Sequence, residues 1–287
     1  LPTPTRTATA TPTPIGISLN SGIGQIAFVA NVNGKNNQVY IMNGNSRNIT
    51  RLTTPFEDIS SPAWSPDGQK IAFFVYPSWE IYVINADGSN LARLTGGSSP
   101  TWSPNGQQIA FSSGKEIYVI NVDGSNLTRL TDGQFNDFSP SWSPNGKEIA
   151  FYSHRDGSVH IYVINIDGSG LRKLTNDSSF DYSPRWSPDG TKIVFVRDQG
   201  HNEQQEIYVM NADGSGMIRL TNNRVYDNFP SWSPDGKQII FISSRDSQYS
   251  DFYTMNADGS NVVRLTNTVA NKLSAVWAPN PTNTLKS

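Results

Sequence analysis

The chain of 287 residues contains no cysteine. A disulfide framework, a thiolate metal site and a cysteine nucleophile are therefore all excluded, although this absence does not identify a compartment. Histidine is scarce too: His154, His160 and His201 are the only three, and none stands in an H-E-x-x-H or similar metal-ligand spacing. They fall in the variable stretches between apolar runs, where a solvated surface role is expected. Charge is low and balanced, 22 basic against 24 acidic residues, which leaves no footprint for nucleic acid or an anionic membrane. No apolar run approaches the roughly 18 residues that a membrane-spanning helix requires. No signal peptide is visible, so any export signal is expected to lie outside these residues. A G-x-S-x-G elbow and a phosphate-binding loop are also missing, and Gly22-Ile23-Gly24 precedes a strand-like run, the wrong setting for a dinucleotide turn.

What the chain has instead is repetition. The stretch Ser183-Pro184-Arg185-Trp186-Ser187-Pro188-Asp189-Gly190 is written six times with small changes, around Trp64, Trp102, Trp142, Trp186, Trp232 and Trp277. The Trp spacings are 38, 40, 44, 46 and 45 residues. Each of the first five copies is followed by an apolar strand, then a phrase like Ile81-Tyr82-Val83-Ile84-Asn85-Ala86-Asp87-Gly88-Ser89, then one like Arg93-Leu94-Thr95. A repeat of this length, rich in β-branched and aromatic residues and punctuated by Pro-Asp-Gly and Asp-Gly-Ser turns, predicts a four-stranded propeller blade. The fold class expected is all-β, a six-bladed β-propeller with four antiparallel strands per blade.

The ends predict how the ring closes. Gln25–Val29, Gln38–Asn43 and Arg51–Thr53 make three strands with no Trp strand before them, while Ala275-Val276-Trp277-Ala278-Pro279 is a Trp strand with nothing after it. The C-terminal strand is expected to complete the first blade, which removes the free edges that an open array would expose. Residues 25–280 then form one propeller, with 15–24 as lead-in and 281–287 as a short tail. Residues 1–14 are Thr/Pro-rich, a composition that favours extended, polyproline-like chain with nothing to bury. Such stalks belong mainly to secreted and cell-surface proteins, so an extracellular or cell-surface location is expected, with the periplasm as the variant. An extended segment of this kind, with Pro2, Pro4, Pro12 and Pro14, is also suited to docking on a neighbouring copy.

The phrases Pro-x-Trp-Ser-Pro-Asp-Gly, Ile-Tyr-Val-Ile-Asn-Ala-Asp-Gly-Ser-Asn and Arg-Leu-Thr resemble the repeat of the TolB-type β-propellers, across residues 25–280. The resemblance implies the fold. It leaves activity open, because that repeat occurs in periplasmic partner-binding proteins, sensor ectodomains and non-catalytic domains of peptidases.

Strand order puts alternate connections on opposite faces of the ring. The Pro-Asp-Gly and Asp-Gly-Ser turns share one face and are nearly identical in every copy. The other face carries loops of unequal length, and variable loops on a rigid scaffold usually carry function. Asp58, Asp137, Asp181 and Asp227 sit there, each a few residues before its Trp strand. Two readings stand side by side: each Asp caps its own loop by accepting backbone N–H bonds, or Asp137, Asp181 and Asp227 converge on a Ca²⁺ ion. No other cofactor is expected. Aromatics crowd the same loops, namely Phe56, Phe135, Phe138, Phe180, Tyr182, Tyr226 and Phe229, with Tyr76 and Trp79 beside them. They either pack on one another or form a partner surface. Arg185 is the one basic residue in the position before Trp, and either enters the channel or pairs with a nearby Asp. The Arg or Lys of each Arg-Leu-Thr phrase is expected to be solvated on the outer rim. Asn48, Asn126 and Asn176 stand in weak N-glycosylation sequons.

These readings predict a non-catalytic extracellular propeller that binds protein, plausible partners including other copies of itself, with no nucleic acid and no direct membrane insertion. A self-assembling surface or filament subunit is the first alternative. A ligand- or protein-sensing ectodomain of a membrane-anchored receptor or lipoprotein is the second. A lyase or glycosidase using two channel carboxylates is the third.

Overall fold

The computed structural model describes residues 24–32, 36–43, 49–53, 57–200, 205–246, 248–266 and 271–279. Phe56, His201, Asn48 and the tail prolines Pro2, Pro4, Pro12 and Pro14 lie outside the described residues. The first blade begins with β1 (Gln25–Asn31), β2 (Gln38–Asn43) and β3 (Ile49–Arg51). The second is β4 (Asp58–Trp64), β5 (Lys70–Tyr76), β6 (Glu80–Asn85) and β7 (Ala92–Gly96). The third is β8 (Ser98–Trp102), β9 (Gln108–Ser113), β10 (Glu116–Asn121) and β11 (Thr128–Arg129). The fourth is β12 (Asp137–Trp142), β13 (Glu148–Ser153), β14 (His160–Asn165) and β15 (Arg172–Lys173). The fifth is β16 (Phe180–Trp186), β17 (Lys192–Asp198), β18 (Gln205–Asn211) and β19 (Ile218–Arg219). The sixth is β20 (Asp227–Trp232), β21 (Gln238–Ser243), β22 (Asp251–Asn256) and β23 (Val263–Arg264). The last strand, β24 (Asn271–Trp277), returns to pair antiparallel with β1, with Ile26 opposite Trp277 and Phe28 opposite Ala275. The result is six four-stranded sheets, the first in the order β24-β1-β2-β3. The C-terminus closes the first blade, as the sequence predicts.

The core lies between blades, and each interblade layer holds one Trp. Trp64 packs with Ala27, Val29 and Val39 of the first blade and with Ile71 and Phe73 of its own. Trp277 joins Phe28 to Ile240, Ile242 and Phe252 across the closing seam. Because both faces of a blade are covered, the second and third strands of a blade are apolar almost throughout; β17, for example, buries Ile193 through Arg197. Each Trp buries on the order of 200 Å², so truncating one to Ala is expected to cost about 3–5 kcal/mol.

The threonine of Arg-Leu-Thr has a defined task. Thr131, Thr175, Thr221 and Thr266 accept, through Oγ1, the N–H of Ile117, Ile161, Ile207 and Phe252 at 2.9–3.0 Å. A hydroxyl therefore replaces the backbone carbonyl just where the outer strand ends, and the ladder is satisfied without a longer exposed edge.

The innermost strands share a second device. In β4, β12, β16 and β20 the ladder skips two residues at an X-Pro pair, because proline has no N–H to offer. The residue before that proline is left-handed: Ser61, Ser139 and Ser183 have φ 52° and Phe229 has φ 50°. Ser99 of β8 does the same. The bulge turns these side chains toward the axis of the ring.

Candidate partner-binding face and central channel

The two faces of the ring are built differently. On the turn face, each Ser-Pro-Asp-Gly turn is tied by its own Asp: Asp67 accepts Ser65 Oγ at 2.6 Å and the Gln69 N–H at 3.0 Å. In the Asp-Gly-Ser turns, Asp87 accepts both the N–H and the hydroxyl of Ser89, at 2.9 and 2.6 Å. The hydrogen bond from Ser89 Oγ holds the Asp87 carboxyl below the usual Asp range, and the same cause acts at Asp123, Asp167, Asp213 and Asp258. After the Ser comes a left-handed position, filled by Asn90, Asn126 and Asn261 at φ 54–55° or by Gly170 and Gly216 at φ 66° and 64°. Only Asn and Gly adopt that conformation at little cost, which accounts for the alternation. Asn126 and Asn176 are both exposed.

The loop face holds the candidate Asp residues, and the structure gives them unequal surroundings. Asp137, Asp181 and Asp227 are fully buried, each against a guanidinium of its own blade. Arg155 reaches both oxygens of Asp137 at 3.0 Å, and Arg197 grips Asp181 in fork geometry at 2.7 and 2.9 Å. Arg245 donates to Asp227 at 2.8 Å, beside Asn223 Nδ2 at 2.6 Å. Each guanidinium also lies over the Phe of the second strand and the Tyr of the third. For Arg155 these are Phe151 and Tyr162, for Arg197 Phe195 and Tyr208, and for Arg245 Phe241 and Tyr253, at 4.9–5.6 Å from the ring centroids. Three blades therefore carry the same latch of carboxylate, guanidinium and two rings. The sequence reading missed it because the arginine follows its Phe by two residues in Phe195–Arg197 but by four in Phe151–Arg155 and Phe241–Arg245.

Asp58 differs. It is half-buried and accepts the N–H of Asn37 at 2.8 Å, which ties it to the β1–β2 loop of the first blade and not to its own loop. In its blade Tyr76 stands opposite, where Arg197 faces Asp181 in the fifth. The four carboxylates do not converge on one point. Among the described residues, no group of three or more His, Cys, Asp and Glu side chains is placed to hold a metal ion. Asp137 and Asp181 instead direct both oxygens to a guanidinium, while Asp227 gives Oδ2 to Arg245 and Asn223 and its buried Oδ1 has no hydrogen-bond partner among the described residues.

One further expectation is corrected. His160 is buried, at the first position of β14, where burial pulls its pKa below the usual histidine value. It belongs to a strand, and its placement in a solvated loop does not hold; His154 is exposed as expected. The rim cations Arg51, Arg93, Arg129, Lys173 and Arg219 are exposed as expected, and four of them also pair with carboxylates: Arg93 with Glu80 at 2.5 Å, Arg129 with Glu116 at 3.1 Å, Lys173 with Asp156 at 2.9 Å, and Arg219 with Glu206 at 2.8 Å. At the closing seam Arg264 and the buried Lys272 of β24 both bind Asp251, at 2.5 and 3.2 Å. Burial works against the Asp251 charge, but donors from Arg264, Thr266 and Lys272 outweigh it and lower the carboxyl pKa.

The aromatics fall into two groups. Phe138, Tyr152 and Tyr182 form a half-buried row across the fourth and fifth blades, with centroid separations of 5.5 and 5.4 Å. Burial pushes the Tyr152 hydroxyl up to about 12. In the second blade Trp79 stacks on Phe74 at 5.5 Å and meets Tyr76 edge-on at 5.8 Å. Tyr76 and Trp79 are 50% and 54% exposed, and Phe180, Tyr226 and Phe229 are exposed on the same face. The exposed large apolar side chains elsewhere are aliphatic, such as Leu127 and Ile218.

At the centre, a narrow cavity of about 70 Å³ is lined by the innermost strands, with Ser61, Ser99, Ser139, Ser183 and Ser274 around it and Arg185 among them. Burial alone pushes the Arg185 pKa down to about 10. Its guanidinium donates to the Pro184 carbonyl at 3.0 Å and has no carboxylate partner among the described residues.

The family model described as the TolB beta propeller domain matches residues 97–204 and 181–285, about two thirds of the chain. The chain belongs to the TolB β-propeller domain family. A second model, the dipeptidyl peptidase IV N-terminal region, matches residues 33–101. No curated protein matches. Among solved structures, TolB from Acinetobacter baumannii is 24% identical, with a TM-score of 0.79 over 91% of this chain and 69% of that one. A chain from a Nidogen/Laminin complex is 13% identical, with a TM-score of 0.73 over 89% of this chain and 98% of that one. An oligogalacturonate lyase in complex with manganese is 13% identical, with a TM-score of 0.57 over 86% and 74%. At these identities the structural likeness establishes the fold alone, and the three names themselves span different functions.

Proposed function

We propose that this chain is a non-catalytic protein-interaction propeller working outside the cytoplasm, with its loop face as the binding surface. In this reading it self-assembles, residues 1–14 of one copy docking on the loop face of the next. The observation that carries the proposal is the segregation of exposed aromatics, with Tyr76 and Trp79 half exposed beside Phe74. Proline-rich, extended chain recognises aromatic-lined surfaces of this kind, because little conformational entropy remains to be lost on binding. The occurrence of this fold in a chain from a Nidogen/Laminin complex agrees with a role in protein assembly. Pairing of Asp137, Asp181 and Asp227 with arginines argues against their use as channel acids or bases. The Thr/Pro composition of residues 1–14 supports the location, and no helix among the described residues is long and apolar enough to cross a membrane.

Sedimentation equilibrium of the full chain against a chain lacking residues 1–14 tests this. Concentration-dependent association of the first and a monomeric second are expected. Two monomers would overturn self-assembly and leave a different protein as the partner of the loop face, as in a sensing ectodomain.

A further inference from the structure

We propose that the central channel binds one carboxylate-sized anion, held by Arg185 within the ring of inward-turned serines. Every other copy of the repeat has a small or apolar residue at this position, Ala63, Thr101, Ser141, Ser231 and Val276, so the ring carries a single positive charge at that level. Six other arginines of the fourth, fifth and sixth blades, Arg155, Arg172, Arg197, Arg219, Arg245 and Arg264, each pair with a neighbouring Asp or Glu. Arg185 is half-buried and lines the cavity with, among the described residues, only its neighbour's carbonyl as acceptor and no carboxylate to offset the desolvation that lowers its pKa. A charge held this way is costly until an anion reaches it.

The surroundings define the ligand. Ser61, Ser99, Ser139, Ser183 and Ser274 offer hydroxyl donors, while the lining contains no Asp or Glu that would repel an anion. Four of these serines, Ser61, Ser99, Ser139 and Ser183, and Phe229 at the same position of the sixth blade, are held left-handed, a strained backbone that directs their side chains at the channel. A cavity of about 70 Å³ has room for a carboxylate or halide. The carboxylate belongs to a free small acid or to the end of a peptide lying over the channel mouth. This inference does not rest on the loop-face reading, since a small anion tests it without any partner.

The experiment titrates the full chain with sodium acetate at constant ionic strength, following thermal unfolding and the line width of ¹³C-acetate. The wild-type chain should gain stability saturably and broaden the acetate signal, with bromide competing. Arg185→Met, relieved of an unpaired charge, should melt no lower than the wild type without acetate and should lose at least tenfold in acetate affinity. Equal acetate responses in the two chains would overturn the proposal. So would the absence of broadening by the folded wild type, a readout that needs no variant. A capped tripeptide with a free C-terminus then separates the two sources. Binding at least tenfold tighter than acetate, lost on C-terminal amidation, assigns the site to a peptide end. Affinity equal to that of acetate assigns it to a free acid.

Discussion

The turn face and the loop face of the ring are made by the same repeat, yet they follow opposite rules. On the turn face one solution is written again and again: an Asp accepting from a Ser, a left-handed Gly, and the proline of one blade touching the glycine of the next, as Pro66 approaches Gly106 and Pro144 approaches Gly190. On the loop face the blades diverge. The fourth, fifth and sixth fasten a buried Asp with an arginine, whereas the second leaves Asp58 half-buried and puts Tyr76 and Trp79 in solvent. Repetition marks what the ring needs in order to close. Departure from it marks surface that the fold can spare for recognition.

Opening the ring should have the largest effect, since both faces depend on it. Deleting residues 271–287 removes β24 and the Lys272–Asp251 pair, and should lower the melting temperature by about 15 °C or more, or prevent folding. Next comes the latch. Arg197→Met leaves the Asp181 carboxylate buried without its guanidinium and should cost about 3–5 kcal/mol in urea unfolding. Asp58→Asn, at the equivalent site of an unlatched blade, should cost below about 1 kcal/mol. Similar losses at the two sites would remove the distinction between blades.

On the turn face, Gly214→Ala combines φ 90° with a Cβ 2.7 Å from the Leu174 carbonyl oxygen. A loss of about 1–3 kcal/mol is expected, against a few tenths for Asn126→Gly, where the αL position already suits glycine. Acid supplies a further contrast. The Asp-Gly-Ser carboxyls and Asp251 titrate below their unfolded value, so their contribution is complete above the unfolded Asp pKa of roughly 3.9. It is lost as pH falls through the lower folded values. Asp251→Asn should therefore flatten the decline in stability between about pH 5 and pH 2, measured as urea midpoints.

Much of this architecture was legible in the sequence. Six Trp strands, with three strands lacking a Trp strand at one end and a lone Trp strand at the other, sufficed for blade number and closure, because a propeller repeat fixes local geometry within each copy. The site was less so. Arg155, Arg197 and Arg245 reach one kind of position from different offsets, since their loops take different routes. The burial of His160, and the absence of a carboxylate beside Arg185, depend on neighbours from other strands and other blades. Spacing carries the contacts within a repeat unit, and only the closed ring supplies those between units.

Tyr76→Ser with Trp79→Ser should cost about 1–2 kcal/mol in urea unfolding, since both side chains are half-buried and Trp79 packs on Phe74 and Tyr76. The most direct test of the loop face is amide hydrogen exchange on the full chain, at a concentration where it associates, compared with the chain lacking residues 1–14. Recognition by the loop face predicts added protection in segments 57–60, 75–80, 177–183 and 223–229, with the turns at 65–69, 103–107 and 121–126 unchanged. Added protection at those turns, or spread evenly around the ring, would contradict it.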